Sequence, residues 1–115
     1  MTNDAPTDGG PVHLVLVTGP GREAMLELGR AVVNERLAAC VNVLGEVGSV
    51  YRWEDEVQEA DEALAMMKTT EGRLDALRRR VLDLHPYDEP EFVAVRVDRG
   101  SSSYLSWVAG AVAGP

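Results

Sequence analysis

Apolar residues fall in short runs along this chain, and the period within each run predicts its element. Residues 12–17, VHLVLV, lie between Gly-Pro and Thr-Gly-Pro and predict a strand buried on both faces. From Arg22 to Arg36, Met25, Leu28 and Val32 recur at helical spacing with Ala24 and Ala31. Glu23 falls in the first turn of that helix, where the backbone dipole favours negative charge. AACVNVL (38–44) predicts a second strand that Gly45 and Gly48 break or bulge before SVYRW (49–53) resumes it. A polar turn at 54–56 and a return run over 57–69 complete a long hairpin with an acidic tip. Thr70 suits an N-cap, and Leu74, Leu77, Val81 and Leu84 then mark a second helix. Pro86 ends it by pushing His85 out of the helical region. FVAVRV (92–97) is a fourth strand, and Ser101–Ser103 cap a short helix around Trp107.

The order β-α-β-β-α-β plus a short C-terminal helix predicts an α+β, ferredoxin-like sandwich: a four-stranded antiparallel sheet with two helices on one face. The domain is expected over 12–110, with a Gly/Pro-rich, flexible tail at 1–11 and a short tail at 111–115. One helix layer leaves the other sheet face open, so that face should read polar. It does not. Val12, Leu14 and Leu16 alternate with the equally apolar Val15 and Val17, and strand four repeats the pattern with Phe92 and Ala94 against Val93, Val95 and Val97. A second subunit is expected over the open face.

The formal charge of −8 speaks against nucleic acid and anionic membrane as partners, because both are gripped through basic patches. The first eleven residues lack a basic start and an apolar stretch, and one cysteine allows no internal disulfide, so a cytoplasmic location is expected.

Candidate chemistry is sparse. VTGPGRE after the first strand lacks phosphate-loop spacing, and Pro20 removes a donor N–H, so it reads as a tight turn. His13, Cys40 and His85 show no metal-ligand spacing, and Cys40 reads as core. Glu54, Asp55, Glu56, Glu59, Asp61 and Glu62 read as a solvated strand edge that discourages aggregation. No nucleophile–base constellation asks for catalysis. Lys68 stands out as the one lysine among eleven basic residues, a compact ammonium suited to an anion. The stretch LHPYDEPE (84–91) is a stiff connector that also concentrates His85, Tyr87 and Glu91.

NERLAACVNVL (34–44), SVYRWEDEV (49–57) with LAMMKTT (64–70), and LHPYDEPEFVAV (84–95) with YLSW (104–107) resemble the CutA divalent-cation tolerance family across roughly residues 12–109. The resemblance implies a ferredoxin-like fold, a homotrimer akin to PII-type signalling proteins, and an intersubunit cleft lined by Tyr51, Trp53, Lys68, His85, Tyr87, Glu91 and Trp107. It also implies a link to copper and other divalent-metal tolerance, and a binding or stress-response module rather than an enzyme is expected, since no catalytic constellation asks for one. Val17, Arg80 and Leu84 occupy positions where some members carry two cysteines and a histidine. Cys40 and His85 are left as soft metal ligands, with copper or another divalent cation the only cofactor implied. The expected function is a trimeric metal-stress binding or signalling module, with Lys68, His85 and Trp53 meeting a small anion. A PII-like anion or nucleotide sensor and an acylphosphatase-type enzyme are the rivals.

Overall fold

The computed structural model describes residues 9–114. Its elements are β1 (Val12–Gly19), α1 (Arg22–Asn34), β2 (Cys40–Trp53), β3 (Glu56–Thr70), α2 (Glu71–Leu84), β4 (Val93–Arg96) and α3 (Ser102–Ala111). All strand pairs are antiparallel, in the order β2-β3-β1-β4, which is the expected ferredoxin-like sheet.

The alternation along the strands separates two apolar faces. Val15 and Val17 of β1, with Ala65 and Met67 of β3, are fully buried against Met25 and Val32 of α1 and Leu77 and Val81 of α2. Gly29 lets α1 approach β2: a Cβ there would lie 3.1 Å from a Val41 methyl. That closeness explains a glycine inside a helix, where it costs about 1 kcal/mol relative to alanine. On the opposite face the register aligns Leu14 with Val95, Leu16 with Met66 and Val93, and Leu44 with Leu64. Helix α3 covers only one end of this face, packing Leu105, Val108 and Val112 on Val12, Ala39 and Val97. Val93 and Val95 stay about half exposed. The terminal helix is too short to seal the sheet.

The hairpin is more continuous than its glycines suggest. A bulge between Gly45 and Val47 absorbs the irregularity, and pairing runs on to Trp53 and Glu56. The turn is Glu54–Asp55 alone, both with positive φ (51° and 66°), the signature of a tight type I′ hairpin. Because β1 pairs with β3 only from Ala63 onward, residues 47–62 form a two-stranded arm with no third strand among the described residues.

Helix ends differ from expectation in their chemistry. Helix α1 stops at Asn34, two residues early, because Arg36 adopts a positive φ of 60°. Thr70 and Ser101 occupy N-cap positions, yet neither side chain makes the cap hydrogen bond. In α2 the free N–H groups of Glu71 and Gly72 instead donate to the carbonyls of Pro11 (2.9 Å) and Gly9 (2.6 Å). Gly9–Pro11 thus cap a helix, although their composition assigned them to the tail. At the other end Val112 is buried, and Arg73 donates to the carbonyls of Val112 (2.7 Å) and Gly114. Arg80 ties α2 to the end of α1 through two bonds to Glu35, of 2.9 and 3.0 Å.

Leu77→Ala, which empties part of the core, is expected to lower stability in denaturant titrations by about 2–5 kcal/mol. Replacing the turn by Glu54→Asn with Asp55→Gly should raise it by about 1 kcal/mol, since both positions already hold the left-handed backbone those residues tolerate.

Candidate functional site

Pro86 ends α2 as its ring requires, with His85 extended (φ −73°, ψ 137°), and the loop 86–92 then folds back over the root of the arm. Three bonds hold it there. His85 Nε2 lies 2.7 Å from the carbonyl of Thr18, and the Tyr87 N–H donates to His85 Nδ1 at 3.1 Å. Since a carbonyl can only accept and an N–H can only donate, the ring carries its proton on Nε2 and is neutral, with both nitrogens engaged. The Tyr87 hydroxyl donates to Glu62 Oε2 at 2.8 Å. Thr18 Oγ1 adds a longer bond to Glu91 Oε1, at 3.4 Å.

A cleft of about 820 Å³ opens between this loop and the arm. Tyr51, Trp53 and Tyr87 give it aromatic walls; Glu62, Asp88, Glu89 and Glu91 give it four carboxylates; among the described residues no Lys or Arg lines it. Of the residues expected to share a cleft, Tyr51, Trp53, Tyr87 and Glu91 do so, and His85 anchors the loop from beneath. Lys68 and Trp107 do not join them within one chain. Lys68 pairs with Leu14 and Cys40 on the open sheet face, its ammonium bonded to Asn42 Oδ1. Trp107 stacks on Tyr104 of α3, with ring centroids 5.6 Å apart.

The soft metal ligands part in the same way. Cys40 is half-buried on the open face rather than in the core, 4.0 Å from Lys68 Nζ. His85 sits at the Thr18 end of the sheet, four residue pairs along β3 from the Cys40 pairing, about 13 Å at strand rise. Neither ring nitrogen keeps a free lone pair, so a copper site on Cys40 and His85 does not fit one chain. Among the described residues, no three His, Cys, Asp or Glu side chains converge as a metal cluster.

Sequence reasoning missed Glu62. It belongs to an acidic run that reads as solvated edge, yet it is only 8% exposed. Its signal lay in register: Glu62 pairs with Val47 where the bulge ends, at the root of the arm rather than its tip.

A family model for the CutA1 divalent ion tolerance protein matches residues 13–111. The divalent-cation tolerance protein CutA of Thermus thermophilus is 44% identical over 96 residues, 84% of this chain and 93% of that protein. A CutA protein of Arabidopsis thaliana, described as chloroplastic, is 43% identical over 98 residues, 85% of this chain. The match spans 54% of that relative's length, so the chain corresponds to about half of it. The crystal structure of CutA1 from Oryza sativa superposes with a TM-score of 0.86 at 41% identity, over 90% of this chain and 94% of that one.

Burial of the Tyr87 phenol, reinforced by its bond to Glu62 and the charges of Glu62 and Tyr51, pushes its pKa up to about 12. The unfolded chain would release that proton near ~10. Folding therefore gains stability from the protonated phenol that is full below about 10 and is lost as pH rises through about 12. Ultraviolet titration should show a late tyrosine component that Tyr87→Phe removes; its persistence in that variant would refute the assignment.

Proposed function

The chain belongs to the CutA1 divalent ion tolerance family, and on that premise we propose that it acts as a homotrimeric binding module in the response to metal stress. The observation that carries this reading is the uncovered sheet face. Leu14, Leu16, Leu44, Leu64, Met66, Val93 and Val95 form a continuous apolar surface that α3 leaves open. The arm adds Val50 and Val57, both exposed, on a ribbon that two strands alone hold only marginally. Copies of the chain packed around an axis would cover both surfaces, and the number three follows the family resemblance.

The cleft beneath the loop is the proposed ligand site, and its walls favour a cation. Four carboxylates without a basic neighbour disfavour the small anion first expected beside Lys68, and with it a nucleotide-sensing or acylphosphatase-type role. We read the module as non-catalytic, because His85, the natural general base, has both ring nitrogens engaged. Among the described residues no helix is long and apolar enough to cross a membrane. The free thiol of Cys40 suits a reducing compartment, and the cytoplasm is the proposed location.

Sedimentation equilibrium should return three times the 12.4 kDa chain mass. Val95→Glu, placing charge on the open face, should shift the protein to monomer with its circular dichroism retained. A monomeric parent chain would overturn the assembly.

A further inference from the structure

We draw no further inference here: the strongest candidate, the apolar groove between α1 and the edge strand β2 lined by Leu26, Val33, Val41 and Val43, carries nothing because no feature of the structure shows what covers it.

Discussion

A sheet has two faces, and this chain supplies one layer of helices. Everything distinctive about the molecule follows from that imbalance. The strands are apolar on both sides, yet within the chain only one side is covered, by α1 and α2, and the other is left largely open. Helix α3 does not resolve the mismatch; it seals only the end around Val12 and Val97 and leaves the middle of the sheet bare. The same logic explains the arm, where β2 and β3 run past the last residue of β1 and expose aromatic and aliphatic side chains on a ribbon with no layer of its own.

The site is built on that overhang. Where β1 ends at Gly19, the carbonyl of Thr18 remains at the strand end, and His85 takes it up from the last turn of α2. One imidazole thereby joins a strand end, a helix end and the following loop, and it does so only as the tautomer protonated at Nε2. Tyr87, held by that ring, reaches the arm through Glu62. Residues that look like chemistry in a list are thus partly joinery. His85 is structural, and its orientation is what gives Tyr87 and the loop carboxylates a fixed wall to share.

Period and punctuation in the sequence were enough for the elements, their order and the two-faced sheet, because each apolar run keeps one repeat and each proline sits at a boundary. The loop 84–91 also stood out, since a histidine, two prolines and three carboxylates in eight positions are hard to read as filler. Glu62 did not, because burial of a charged residue depends on which strand pair it joins, and one bulge at Gly45 shifts that register. Lys68, singled out as the one lysine, and Trp107, which came from family resemblance, lie apart from the cleft within one chain. Cys40 misled for a simpler reason: small apolar neighbours suggest core, but on a two-faced strand they fit the open side equally well.

Both described ends of the chain terminate on the first turn of α2. Gly9 and Pro11 bond to Gly72 and Glu71, while Val112 and Gly114 are held by Arg73. The ends are therefore neighbours in space, divided by little more than the width of a helix turn. A short linker could join them and the chain could be reopened at the Glu54–Asp55 turn, giving a circular permutant with the same strand order. In such a molecule α2 would no longer be fastened by two loose ends but threaded by one continuous loop.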